Sequence, residues 1–194
     1  MMTGVIIFFM QAGFALLESG SVRHKNYQNI LLKNITDTCV AGIVFWMWGY
    51  SIAFGRTEGS NWVKQHMFGY KMDGRNSFLF FQFAFACTSS TIVSGALAER
   101  VKMESYILFS FFMTGIIYPI VVSWTWGKGW LYQLGFEDFA GSSVVHLCGG
   151  IAGLAGSYIT GPRVGRYSAP QTNLRSPLET ERSIKGEKTD INLI

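Results

Sequence analysis

His146, Asp138 and two groups of aromatic rings are the residues whose types and spacing point to chemistry in this 194-residue chain. His146 stands in Ser142-Ser143-Val144-Val145-His146-Leu147, near the middle of an apolar stretch. Polar groups at membrane depth are costly. An imidazole held neutral there by desolvation both donates and accepts hydrogen bonds, which suits a relay or a narrow polar pore. A histidine bonded to a carbonyl of a neighbouring helix would explain the same residue equally well. Asp138 comes just before that stretch and is followed by Phe139-Ala140-Gly141. An aspartate so placed is a natural N-cap, accepting hydrogen bonds from the unpaired amides of the first turn. Its charge would also lend negative potential to an outer vestibule for cations.

Phe80, Phe81, Phe83 and Phe85 crowd one end of another apolar stretch, and Trp124, Trp126 and Trp130 lie at the end of the next. Trp at that depth usually anchors a span at the membrane interface. Phe81 and Phe85, however, are four apart and share a helical face. Rings that converge with an indole attract a small cation through their π-faces, by about 0.5–2 kcal/mol each. The sequence shows no paired carboxylates at that depth, no nucleophile–base pair and no metal cluster, so enzyme chemistry, a metal and a cofactor are not expected. Cys39, Cys87 and Cys148 fit no metal-ligand spacing and read as small packing residues.

The elements that must position these groups are membrane helices. Apolar residues make up 49% of the chain and charged ones only 14%, against roughly 25% in average globular proteins. From Ser77 to Ala98 no residue is charged, and a soluble helix would break such a run with a polar face. Helices of about 20 apolar residues cross a bilayer. Five spans are expected, at about 2–17, 35–54, 77–97, 105–126 and 139–160. The first lacks the basic region and small-residue cleavage site of a secretory signal. Small-x-x-x-small pairs, Gly149 with Gly153 and Ala152 with Gly156, permit close helix approach on the fifth span.

Lysine and arginine set the orientation. Arg23, Lys25, Lys33, Arg100, Lys102 and the cations of the tail fall on one side, and Arg56, Lys64, Lys71, Arg75 and Lys128 on the other. The richer side is expected to be cytoplasmic, which puts the N-terminus outside. The same asymmetry accounts for the formal charge of +4 without any nucleic-acid partner. Residues 1–161 read as the transmembrane domain. Residues 162–194, polar and with two of the four prolines after Arg163, read as a disordered cytoplasmic tail. Phosphorylation at Ser168, Ser176 or Ser183 is one use for such a tail.

Several strings in register give the chain a more specific likeness. Met10-Gln-Ala-Gly-Phe-Ala-Leu-Leu-Glu-Ser-Gly with Arg23-His-Lys-Asn, Trp46-Met-Trp-Gly-Tyr-Ser-Ile-Ala-Phe-Gly, Gly95-Ala-Leu-Ala-Glu-Arg and Asp138-Phe-Ala-Gly-Ser-Ser-Val-Val-His follow in order. Over about Met1 to Arg166 they resemble the first half of the ammonium transporter (Amt/Mep/Rh) family.

The resemblance implies an all-α membrane protein whose five transmembrane helices correspond to the first repeat of an eleven-helix fold, with a pore between inverted repeats. It also implies assembly as a homotrimer, in the plasma membrane. By matching strings, Phe81, Phe85 and Trp126 fall on the outer site that recruits ammonium, Phe85 on a pore gate, His146 on the first of two pore histidines, and Asp138 on the aspartate that stabilises the outer vestibule. The partners implied are ammonium or ammonia and the lipid bilayer. The family's second repeat is missing from these 194 residues, so a truncated or partial transporter, inactive alone, is expected. The alternative is a non-conducting subunit that joins full-length subunits in a mixed trimer and inhibits them.

Overall fold

The computed structural model describes residues 1–55 and 76–163, and every regular element among them is helical. Five helices long and apolar enough to cross a membrane run Met2–Ser21, His24–Phe54, Asn76–Leu97, Met103–Trp124 and Ser142–Thr160. A single turn at Trp130–Gln133 lies between the fourth and fifth. The five apolar runs of the sequence are thus the spans of an all-α membrane fold. Arg56, Lys64, Lys71 and Arg75, the expected disorder of the tail from residue 164 onward and its three serines lie outside the described residues.

Several helix ends differ from the sequence reading, at the first two spans because neighbouring spans absorb polar residues. The second span begins at His24 instead of near 35, because Ile30, Lys33 and Asn34 are buried against its neighbours. Lys33 therefore belongs to a helix and not to a connecting loop. Its Nζ donates to the Ser94 carbonyl at 3.1 Å and lies 4.2 Å from the centre of the Tyr106 ring. The first span continues past 17 to Ser21 and carries the buried Glu18. The fourth ends at Trp124, leaving Trp126 in the turn beyond it. The fifth begins at Ser142 instead of 139, since Gly141 at φ +91° breaks the helix.

The third span is the hub, and its broadest contact is with the fifth. Small residues make that contact close. A Cβ on Gly149 would stand 2.8 Å from the Ser89 carbonyl oxygen, and one on Gly153 would stand 3.1 Å from Ala96 Cβ. Only glycine at 149 lets the two backbones approach so far.

Polar groups on the hub's other sides tie it to the first, second and fourth spans. Asp37, 1% exposed, accepts from Ser90 at 2.7 Å and Thr91 at 3.0 Å, and also from Ser110. Thr91 Oγ1 also lies 2.7 Å from Gln11 Oε1. Glu18 Oε2 accepts from Ser94 at 2.8 Å and from Asn34 at 3.1 Å. Buried carboxylates so provided with donors are held by the helices around them.

Glu99, in a left-handed turn at φ +61°, clasps the end of the bundle where the third span exits. Its Oε1 accepts from the Arg23 amide at 3.0 Å, Arg23 Nε at 3.1 Å and Asn26 Nδ2 at 2.6 Å, while Oε2 pairs with Arg163 at 3.1 Å. Burial pushes the Glu99 carboxyl up, but the hydrogen bonds from Asn26 and Arg23 and the Arg23 charge outweigh it and hold the group below the usual carboxylate range. A carboxyl depressed on folding contributes its stability in full above its unfolded pKa, about 4.3, and loses it as pH falls through the lower folded value. Glu99→Gln is therefore expected to lower stability by about 1 kcal/mol at neutral pH and to remove this contribution to acid sensitivity. Arg23 is 51% exposed, so the ion pair itself adds little. Melting curves in detergent at stepped pH check this; a variant with the wild-type melting temperature at pH 7 and the wild-type acid slope would refute it.

Candidate functional site

The aromatic residues of the third span divide between two faces. Phe80 and Phe83 turn toward the first span, where each ring lies 5.9 Å from that of Phe8. Phe81 and Phe85 turn the other way and meet edge to face at 5.1 Å. The Phe85 ring lies 5.4 Å from the indole of Trp126. These three line a cavity of about 280 Å³ together with Phe54, Phe78, Phe139 and Gln82. Trp124 and Trp130 lie apart, 5.9 Å from each other and exposed, in the manner of interface anchors.

Asp138 and Trp126 are locked together at the start of the fifth span. The Asp138 carboxylate accepts four backbone amides, those of Gly141 and Ser142 on Oδ1 at 2.8 and 3.0 Å and those of Ser143 and Val144 on Oδ2, both at 2.8 Å. Burial pushes its carboxyl up, but these amides prevail and hold it below the usual range. The Asp138 carbonyl accepts the Trp126 Nε1–H at 2.7 Å, which fixes the indole with its N–H engaged. Gly141 adopts its positive φ close to that ring; a Cβ there would come within 3.2 Å of the Trp126 ring and 2.8 Å of Val145.

His146 lies further along the same span, in a π-helical stretch, Ser142–Leu147, where its amide bonds back to the Gly141 carbonyl at 3.0 Å. Such widened turns are frequent at functional sites. The side chain is exposed and makes no hydrogen bond among the described residues, and it does not line the aromatic cavity. The structure thus joins Phe81, Phe85, Trp126 and Asp138 in one constellation and leaves His146 outside it.

Two features escaped the sequence reading. Gln82 is the one cavity-lining residue among those described that is not aromatic. Asp37 and Glu18 anchor the polar interior through partners far away in sequence. No local signal marks Gln82, whereas Asp37 stands out as the one charged residue between Ile35 and Gly55, a signal that does not tell its partners.

This arrangement of spans and strings is that of known proteins. The sequence profile of the Ammonium Transporter Family matches residues 1–179. The chain belongs to that family. Ammonium transporter 3 of Dictyostelium discoideum is 44% identical over 165 residues, covering 84% of this chain and 38% of that protein. Ammonium transporter 1 member 3 of Solanum lycopersicum is 43% identical over 177 residues, covering 84% of this chain and 38% of that protein. This ammonium transporter family chain thus spans well under half the length of these curated relatives. Among solved structures, the Sensor Amt Protein superposes with a TM-score of 0.81 at 37% identity, covering 86% of this chain and 44% of that one. Mep2 of Candida albicans superposes with a TM-score of 0.73 at 30% identity, covering 83% and 38%. The five spans correspond to the N-terminal part of that transporter fold, and these relatives are transporters, not enzymes.

Proposed function

We propose that the chain supplies one wall of an ammonium pore, in which the cavity of Phe81, Phe85 and Trp126 recruits the cation, Phe85 gates the way inward and His146 lines the passage beyond. The observation that carries this is the convergence of three rings, with the indole N–H engaged by the Asp138 carbonyl so that the ring is held beside Phe85. Asp138 holds that geometry and adds negative potential at the vestibule. An exposed imidazole without a partner among the described residues suits a group that works against an opposite wall. Ammonium or ammonia would be the permeant, crossing a lumen where a bare cation is costly unless rings and imidazoles offset its lost hydration.

Residues 1–161 form the transmembrane unit in this proposal, in the plasma membrane with the N-terminus outside, and 162–194 a cytoplasmic tail. Lys33 is withdrawn from the charge asymmetry by its place in a helix; the other cations still support the orientation. Assembly as a trimer follows the family.

A chimera in which residues 1–161 replace the matching part of the Dictyostelium relative tests the pore role. It is expected to take up methylammonium in transporter-deficient yeast, and Trp126→Leu to cut uptake by about tenfold at low substrate. A chimera that reaches the membrane yet takes up no methylammonium sinks the proposal. The 194 residues by themselves are expected not to conduct, since His146 then faces lipid with no opposite wall; ammonium flux into liposomes holding only this chain would refute that. The exposed apolar side chains Leu147, Ile151, Leu154 and Tyr158 on the fifth span give a second reading its support, a non-conducting subunit that inhibits full-length partners. Co-expression with a full-length relative separates the two: reduced uptake favours the inhibitor, unchanged uptake excludes it.

A further inference from the structure

Gln82 is 5% exposed, lines the aromatic cavity, and leaves its Oε1 without a hydrogen-bond partner among the described residues. Buried polar atoms are nearly always paired, so an orphaned acceptor calls for an explanation. Among the described residues every other side chain lining the cavity is aromatic, and the only ring N–H among them, that of Trp126, is spent on the Asp138 carbonyl. The cavity therefore offers, among the described side chains, π-faces and one unpaired lone-pair donor, Gln82 Oε1.

π-faces attract any small cation and are indifferent to whether it carries N–H bonds. An amide oxygen is not: it accepts a directed hydrogen bond from an ammonium-type donor, strengthened by the donor's charge. One oxygen cannot replace the hydration shell of an alkali cation, whereas for an ammonium-type ion it adds one directed, charge-assisted N–H···O bond to what the rings supply.

We propose that Gln82 Oε1 is the hydrogen-bond acceptor for the cation in this cavity and the residue that makes the cavity prefer cations bearing N–H over cations without it; this rests on the recruitment role proposed above. A volume of about 280 Å³ admits methylammonium and tetramethylammonium alike, so size alone does not separate them. The two ions share one positive charge, and only methylammonium can donate.

The test is saturation-transfer NMR on the full 194-residue chain in lipid nanodiscs, titrated with each methylated ion, with ammonium chloride as competitor. Gln82→Leu is expected to weaken methylammonium, and the competition by ammonium, at least about tenfold while tetramethylammonium changes less than about twofold. Retained tetramethylammonium binding shows the variant folded. Gln82→Glu keeps an acceptor oxygen and is expected to retain methylammonium. The assignment is overturned if Gln82→Leu binds both ions as the wild type does, if it weakens both equally, or if Gln82→Glu loses methylammonium. Trp126→Leu is the separate arm. If the wild type binds neither ion, or Trp126→Leu binds both undiminished, the recruitment role itself fails; if Trp126→Leu loses both and Gln82→Leu neither, only the role of Gln82 fails.

Discussion

Asp37→Ala is expected to destabilise the bundle by about 3–5 kcal/mol, enough to leave much of the chain unfolded in mild detergent. The carboxylate is 1% exposed and gathers Ser90 and Thr91 of the third span and Ser110 of the fourth onto the second. Removing it takes the shared acceptor from three buried hydroxyls, leaving Ser90 and Ser110 only each other at 3.4 Å and Thr91 only Gln11 Oε1. Each buried polar group left without its partner costs about 1–3 kcal/mol, and three hydroxyls of one site do not add independently. Asp37→Asn separates geometry from charge. It keeps Oδ1, which serves both Ser90 and Ser110, and changes only the atom facing Thr91. Its cost should be less than half that of alanine. Unfolding in mixed micelles by titration with sodium dodecyl sulfate, followed by circular dichroism, measures both. Equal midpoints for Asp37→Ala and wild type would show that the polar interior is not what holds the spans together.

Asp138→Ala is expected to cost about 2 kcal/mol and to weaken cation binding in the aromatic cavity as well. Four amides at the start of the fifth span share its two oxygens, and their alignment places the carbonyl that holds Trp126. Without the carboxylate the first turn frays and the indole loses its fixed pose beside Phe85. Asn at 138 keeps one acceptor and a donor where the second acceptor was, so it should fall between the two in stability. The sign with pH follows from the depressed carboxyl: its contribution is complete above the unfolded value of about 3.9 and is lost as pH falls through the folded one. Thermal melts between pH 7 and pH 3, paired with methylammonium titration by NMR, check both halves. An Asp138→Ala chain that melts and binds as the wild type does would remove Asp138 from any role in positioning the site.

What could be read from the sequence was whatever acts over a short stretch of chain. The five apolar runs are local composition, and a bilayer converts them into helices because no other backbone arrangement in a single run satisfies its own hydrogen bonds there. The pairing of Phe81 with Phe85 is one helical turn. The capping by Asp138 spans only the residues up to Val144. Glycines spaced four apart on the fifth span mark a face for close packing, and Gly149 and Gly153 do meet Ser89 and Ala96 there.

What the tertiary structure decided was everything that needed a partner from another span. Lys33 looked like a loop cation, yet it is drawn into a helix because the Ser94 carbonyl and the Tyr106 ring receive it. Asp37 was one acid in an apolar run until Ser90, Thr91 and Ser110 came to it from two other helices. Gln82, indistinguishable in sequence from a packing residue, became the one non-aromatic side chain among the described residues of the cavity only when the turn after the fourth span brought Trp126 against Phe85. The ends of the first two spans moved for the same reason, since Glu18, Lys33 and Asn34 are accepted by neighbouring helices. Periodicity tells which face of a helix is apolar; which side chains of different helices meet depends on packing that no local pattern encodes.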